Sequence, residues 1–450
     1  MAFNFLPYEQ DQLFLMPPSV QEWVGEGSLA RFTSEVVEEL DGRGRLRAFY
    51  DRYRGDGWGH PAYHPRMLVK VLVYGYAVGV RSSRKLAQAL EEHVGFRYLA
   101  ANQQPDFRTI SDFRKLHLEA LEGLFAEVLG LCREAGLVQL GRVALDGRRL
   151  PGNASLYRNR TKAELRALAE AILREAEETD AQEDERLGED QRGDELPPGL
   201  RTPQERLKRI RAALDVQAQK AAEVKAKGKA RQEARDKRPG RRKGREPQAE
   251  GRERDKEKAE QFRANTTDAD SRVLSSRHGR VQGYNGQALV DCRSQVIVAE
   301  DVTNAADDRA HLALMLARCV EQNGQAPAQC LADAGYWSDA NARAGGATTE
   351  LFIAVDREDR TLRGDGEGGG GRSQTPAAEA MRAKLRTPQG RAIYRERSRS
   401  AEPVFGQMCM RNLNRFWLRG LRKVRVEWSL FCTTHDLLKL WRSGWRPQPA

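Results

Sequence analysis

At 450 residues the chain is long enough for two or three domains and a sizeable core. Lysine and arginine outnumber the acids 75 to 64, a net charge of +11 at 31% charged residues, a balance common in proteins that meet nucleic acid. The six cysteines, at 132, 292, 319, 330, 409 and 432, form no Cys-x-x-Cys pair, which argues against zinc and a disulfide framework and fits a reducing cytoplasm. The N-terminus lacks a basic-then-apolar signal, and no apolar run approaches the ~18 residues of a membrane span. A soluble cytoplasmic protein is expected.

Residues 1–137 read as helical. A helix begins at Pro65 and carries Met67-Leu68-Val69-Lys70-Val71-Leu72-Val73-Tyr74, apolar enough to be buried. Ser82 or Ser83 should cap a second, with Leu86, Ala87 and Leu90 on one side and Arg84 and Lys85 at its start. A third is expected to begin between Thr109 and Ser111 and run through Phe113, Leu116, Leu121 and Phe125. Short helices with basic first turns resemble helix-turn-helix modules, so Arg84 and Lys85 are candidate DNA contacts; helical core packing would give the same pattern.

The period changes to that of a strand at Gly141–Leu145. From Tyr157 to Asn265 the chain is polar, with helix-like repeats at Leu165, Leu168 and Ile172 and at Leu207, Ile210 and Leu214, split by Leu196-Pro197-Pro198-Gly199. Eleven acids face two arginines between Glu175 and Glu195; eleven basic residues face two acids between Lys225 and Arg245. The basic run is a candidate arm for tracking phosphates, or else the two runs are solvated faces that neutralise each other. Lys225 to Glu260 has almost no large apolar residues and reads as exposed helix or disorder.

Gly286 to Ala299 reads as two strands joined near Arg293-Ser294. An amphipathic helix over Asp307–Val320, a strand ending at Asp333, a helix near Ser338–Ala344 and a strand at Leu351–Val355 follow. The glycine-rich stretch 364–371 lacks a Gly-Lys-Ser/Thr end and reads as a linker before the final helices. Joined across the polar segment, this is the element order of the RNase H-like fold. The expected class is α/β: an RNase H-like mixed sheet with flanking helices, preceded by an all-α N-terminal domain and interrupted by a polar helical or disordered insertion.

Three acids stand out. Asp146 ends the apolar run Val143-Ala144-Leu145, Asp333 ends Cys330-Leu331-Ala332, and Glu402 opens a helical stretch. Two strand-end aspartates and a helix glutamate are what a two-metal phosphodiester-cleaving site requires: hard oxygen ligands on rigid elements, holding two Mg²⁺ ions roughly 4 Å apart. On spacing alone, Asp356, Glu300 or Asp301 could replace a member, and Asp291 reads as a hairpin residue. Pro403 should place Glu402 at a helix start or a bend. Tyr336 and Trp337, beside Asp333, are candidates to stack on an unpaired base, although two aromatics at a strand end are more often core. His435 reads as a packed helix residue, and His278 and His311 have no clear partner.

The local blocks Ala144-Leu145-Asp146-Gly147, Val281-Gln282-Gly283-Tyr284-Asn285-Gly286-Gln287-Ala288, Ala332-Asp333-Ala334-Gly335-Tyr336 and Glu402-Pro403-Val404-Phe405-Gly406-Gln407 occur in this order, with a tail from Leu418 to Leu440. Together they resemble the bacterial insertion-sequence DDE transposases, in the branch with a helical N-terminal domain and a Tyr-Arg-Glu signature in the C-terminal catalytic domain. The resemblance implies Asp146, Asp333 and Glu402 as catalytic metal ligands for two Mg²⁺ or Mn²⁺ ions. It also implies terminal-DNA phosphate contacts from the signature. Tyr394 and Arg397 keep their spacing, but Glu402 falls one position late, and Cys409 stands where the signature has a lysine. Arg411 is then the candidate substitute cation.

The expected organisation is a helical DNA-binding and assembly domain over 1–137, the first strand of an RNase H-like catalytic domain over 138–156, a charged insertion over 157–265, and the rest of the catalytic domain over 266–450. The expected activity is metal-dependent cleavage at insertion-sequence ends followed by strand transfer, on terminal inverted repeats and target DNA, by a homodimer, with no membrane partner. The rivals are a nuclease of the same fold that does not join, and a decayed copy that only binds DNA.

Overall fold

A computed structural model describes residues 19–53, 61–187, 202–236, 257, 261–276, 279–356 and 375–447. Helices precede the first strand: α1 (Leu29–Gly42), α2 (Pro65–Ala77), α3 (Ser83–Glu92), α4 (Val94–Leu99), α5 (Phe107–Leu116) and α6 (Leu118–Glu134). Proline stands at the start of α2, as expected, and every residue of that helix except Arg66 is buried. Lys70 is buried because Ser34 Oγ accepts from its Nζ at 2.9 Å and Glu38 pairs with it. The expected third helix is two. Asp106, not Thr109 or Ser111, caps α5 by accepting from the Thr109 N–H, and the chain breaks at His117 before α6.

Six strands form one mixed sheet among the described residues. Its centre is β1 (Arg142–Pro151), which is antiparallel to β5 (Gly279–Asp291), from Val143 opposite Asp291 to Pro151 opposite Gly283. On its other side β1 lies parallel to β7 (Gln329–Ala332), which lies parallel to β8 (Glu350–Ile353). The outer edge of β5 is shared by β4 (Arg272–Ser276) and β6 (Ile297–Thr303), the latter joined through a turn at Cys292–Ser294 as expected. Helix α9 (His311–Asn323) starts four residues later than expected, and the expected helix near Ser338–Ala344 is a single 3-10 turn, Asn341–Arg343.

The insertion leaves the sheet through the two-residue strands β2 (Asn159–Arg160) and β3 (Ala264–Asn265). Between them stand α7 (Lys162–Leu187) and α8 (Thr202–Asp236), packed on each other through Leu165, Ile172, Ile210 and Ala213 with Ala264. The Leu196–Gly199 break, the stretch 237–256 and the glycine-rich 364–371 lie outside the described residues.

The last helices are α10 (Pro376–Arg386), α11 (Pro388–Tyr394), α12 (Glu396–Met410) and α13 (Leu421–Arg442). Helix α13 is buried almost throughout between Val424 and Leu440 because it is enclosed on two sides, by α2 and α6 and by β6. Alternation along β5 turns Gly286 to the Trp428 indole of α13 and its neighbour Gln287 to Asp308, just before α9. The N-terminal helices and the sheet therefore share one continuous core.

A desolvated ion pair fastens that junction. Arg81, 2% exposed, meets Glu427, 1% exposed, at 3.0 Å and also donates to the Arg415 and Asn412 carbonyls. Glu427 accepts the Trp417 and Leu418 N–H groups. Removing one partner would strand the other charge out of water. Arg81→Met should lower unfolding stability in urea by roughly 3–5 kcal/mol; a loss under about 1 kcal/mol, the scale of an exposed pair, would show that the junction does not depend on it.

Candidate active site

In the parallel pair, Leu145 lies opposite Ala332 and β7 then ends. Asp146 and Asp333 are the next residues on each chain, so strand spacing alone brings their backbones within roughly 5 Å. The expectation that Asp146 ends its strand needs correction: β1 continues to Pro151 because β5 still pairs with it there. What ends at Asp146 is the parallel half of the sheet. Each aspartate is oriented locally, Asp146 Oδ1 accepting the Gly147 N–H at 2.9 Å and Asp333 Oδ1 the Gly335 N–H at 2.8 Å.

Helix α12 carries Glu402 past β1. Glu402 is not at a helix start, as Pro403 suggested; it lies mid-helix, with half of its side chain exposed. Pro403 has no N–H for the Arg399 carbonyl four residues back. Gln295 Nε2, in the β5–β6 turn, donates to that carbonyl at 3.1 Å and so relieves the defect.

Arg397, 3% exposed, stands among the acids. Its guanidinium lies 3.4 Å from Asp146 Oδ2 and 3.9 Å from Glu402 Oε1. Even so, Asp146 is pushed up to about 7, foremost by burial, against the pull of Arg397 and with the charges of Asp333 and Glu402 adding to the rise. Asp146 thus feels both other carboxylates, with Arg397 as its counter-charge. Among the described residues no three His, Cys, Asp or Glu side chains stand close enough to hold a metal ion as they are. The donors, all hard oxygens around a carboxyl whose ionisation is under-compensated, suit a divalent cation chemically, and the Arg397 guanidinium now stands against two of them.

The competing acids have other partners. Asp356 pairs with Arg382 at 2.8 Å. Glu300 and Asp301 are buried within β6 rather than after it, Asp301 facing Arg318 at 3.3 Å and Glu300 pushed up to about 8 by burial. Asp291 accepts the N–H groups of Gln139, Leu140, Arg293 and Ser294, a structural joint. His435 is buried, its Nε2 on the Gln295 carbonyl, and burial pushes it down to about 3.

Several expected DNA contacts are placed elsewhere. Tyr336 is 1% exposed with its hydroxyl donating to Gln287 Oε1, so it offers no face to a base, and Trp337 is 9% exposed. Tyr394 is buried at the end of α11. Arg397 faces the carboxylates rather than solvent, and Arg411 is folded back on the Gln407 carbonyl, its charge disfavoured by burial and pushed down to about 10. Arg84 and Lys85 are exposed at the start of α3, with Arg84 over the Phe107 ring. Sequence reasoning missed the polar side chains near Asp333, namely the buried Asn285 and Gln287 and the partly buried Asp308; the signal was two amides alternating within an apolar strand.

Residues 18–116 match the family model described as a transposase domain (DUF772), and residues 371–441 match that of a transposase DDE domain. Together these matches cover less than half of the chain, and they support its reading as an insertion-sequence DDE transposase. The DDE match takes in α12 and most of α13, including Glu402, whereas Asp146 and Asp333 lie outside both matches. No curated protein and no solved structure matches the chain. None of its described helices is long and apolar enough to cross a membrane.

Burial gives Asp146 a pH signature. The fold keeps its proton up to about pH 7, whereas the unfolded chain releases it near pH 4. Ionising Asp146 therefore costs the metal-free fold stability as pH rises from about 4 to about 7, and the whole cost is present above that. In chelator, Asp146→Asn should melt at a higher temperature than wild type at pH 8, with the gap closing toward pH 4. An equal or lower melting point at pH 8 contradicts the assignment of Asp146 as the under-compensated acid.

Proposed function

We propose that the transposase cleaves DNA at the ends of its element and joins the freed 3′-hydroxyl to target DNA, with Asp146, Asp333 and Glu402 as ligands for a pair of divalent cations. The observation that carries this is the register of β1 with β7, which sets two aspartates side by side under a glutamate from α12. The sheet order agrees with an RNase H-like core: β6 and β5 antiparallel, β5 and β1 antiparallel, then β1, β7 and β8 parallel, with the acids at the end of the parallel half.

Cations bound there, Mg²⁺ or Mn²⁺, would make a water or a 3′-hydroxyl nucleophilic near neutral pH and offset charge on the leaving 3′-oxygen. The protein supplies the rest. Asp146 lies within β1 and Asp333 directly follows β7, so the sheet carries both. Glu402, half exposed, closes the site from the side that DNA approaches. Asp146 is protonated part of the time at neutral pH and must give up that proton to become a ligand, so metal uptake should release protons. Arg397 balances the acids while the pocket is empty of other cations and must withdraw to admit them. No protein nucleophile is needed.

DNA contact beyond the pocket rests on two exposed basic surfaces. One is Arg84 and Lys85 on α3. The other is the end of α8: Gln217 ties the helix to the base of the insertion, through the Arg160 and Phe262 carbonyls. The helix then runs on through exposed Lys225, Lys227 and Lys229 to Asp236, roughly 28 Å of arm at 1.5 Å per residue. Such contacts position phosphates without reading sequence. A dimer is expected, because two ends must be cut in one complex.

With an element-end duplex and Mg²⁺ or Mn²⁺, wild type should nick at the terminus, while Asp146→Asn, Asp333→Asn and Glu402→Gln should each lose about 100-fold or more in rate and still bind DNA. A pre-cut 3′ end should be joined to target DNA; cutting without joining would favour the nuclease reading. Nicking that survives Asp146→Asn would reject the proposed site.

A further inference from the structure

Beside the two aspartates lies a chain of hydrogen bonds, part-buried at Asp308 and buried at Tyr336. Asn285 Nδ2 and Gln287 Nε2, both on β5, donate to Asp308 Oδ1 at 2.5 and 2.9 Å, and Arg149 donates to Asp308 Oδ2 at 3.2 Å. On the other side of Gln287, its Oε1 accepts the Tyr336 hydroxyl. Gln287 is fully buried, and Asn285 and Tyr336 are each 1% exposed, so each partner is the only available substitute for water. An ionised carboxylate accepts and cannot donate. Asp308 therefore fixes the Gln287 amide with its nitrogen inward, which leaves the oxygen for Tyr336.

Tyr336 ends the 3-10 turn Ala334–Tyr336, and the residue that caps this turn is Asp333. The turn is gripped a second time by Asn341 Nδ2, which donates to the Tyr336 carbonyl at 2.7 Å and to the Arg309 carbonyl, next to Asp308, at 2.6 Å. The fit leaves no spare volume. A Cβ on Gly147 would lie 2.4 Å from Gln287 Nε2, and one on Gly335 would lie 2.9 Å from Asp333 Oδ1 and 3.3 Å from Asp308 Oδ2. The network is wedged between the residue after Asp146 and the turn that Asp333 begins.

We propose that Gln287, oriented by Asp308, is a positioning residue that holds the Asp333 turn against Asp146 through the Tyr336 hydroxyl, and so sets the affinity of the site for divalent metal. This rests on the reading of Asp146 and Asp333 as metal ligands. Neither Gln287 nor Asp308 touches the metal; each acts through the next bond, as outer partners of metal ligands do.

The test uses the full chain without DNA and Mn²⁺ as probe, with free Mn²⁺ followed by electron paramagnetic resonance. Nicking and metal-free melting are measured on the same samples. Tyr336→Phe removes one donated bond and little else; Asp308→Asn leaves a single acceptor oxygen for the donors of Asn285, Gln287 and Arg149, with an NH2 group turned on either the amides or the guanidinium, and so loosens the hold on the Gln287 amide. Each should weaken Mn²⁺ binding about tenfold or more. The double variant should bind no worse than the poorer single one, because both break the same chain. Excess Mn²⁺ should restore nicking to near the wild-type rate, an outcome that a purely structural role would not give. Should Asp308→Asn fail to fold, Tyr336→Phe decides alone. Mn²⁺ binding within twofold of wild type in Tyr336→Phe, additive losses, or a nicking defect that Mn²⁺ does not rescue overturns the inference while leaving the active site standing. Wild type that binds no Mn²⁺ and is unaffected by Asp146→Asn overturns the active-site reading, and this inference with it.

Discussion

Four backbone register positions decide where the two candidate aspartates meet. Because Arg142 to Leu145 of β1 run parallel to Gln329 to Ala332 of β7, two acids far apart in the chain become neighbours at one edge. A slip of one residue would turn one of them to the other face of the sheet. The register is held by what flanks it: Val143, Ala144 and Leu145 are fully buried, as are Cys330, Leu331 and Ala332. The site therefore inherits its geometry from the core, and its acids need little local structure of their own.

The second constraint is electrostatic. Bringing three carboxylates to a half-buried edge is unfavourable until a cation arrives, and the fold meets part of that cost with Arg397. Asp146 still holds its proton to near neutrality. The same junction logic recurs at Arg81 and Glu427, where one desolvated pair ties the region of the first family match to the tail that carries the second.

How much of this was legible in the sequence varied with the range of the interaction. Asp146 and Asp333 could be picked out because an apolar β-run stopped at an acid in both places, and the strand–hairpin–helix–strand order survived with shifted boundaries. Glu402 was misplaced within its helix because the proline rule is local, whereas the repair comes from Gln295 in a distant turn. Tyr336 read as a DNA contact from its place beside Asp333, and Tyr394 and Arg397 from the family signature, but neither says which way a side chain turns, and all three turn inward. Asp308 was invisible for the opposite reason: beside Asp307 and Arg309 it resembles a surface turn, and only the fold brings Asn285, Gln287 and Arg149 to it.

The central claim, that Asp146, Asp333 and Glu402 form one cation pocket from which Arg397 withdraws, is tested most directly by anomalous diffraction from crystals of the transposase soaked in Mn²⁺. The account predicts anomalous density bounded by these three carboxylates, with the Arg397 guanidinium no longer in contact with Asp146. Mn²⁺ located elsewhere, or carboxylates that keep Arg397 between them at saturating Mn²⁺, would contradict it.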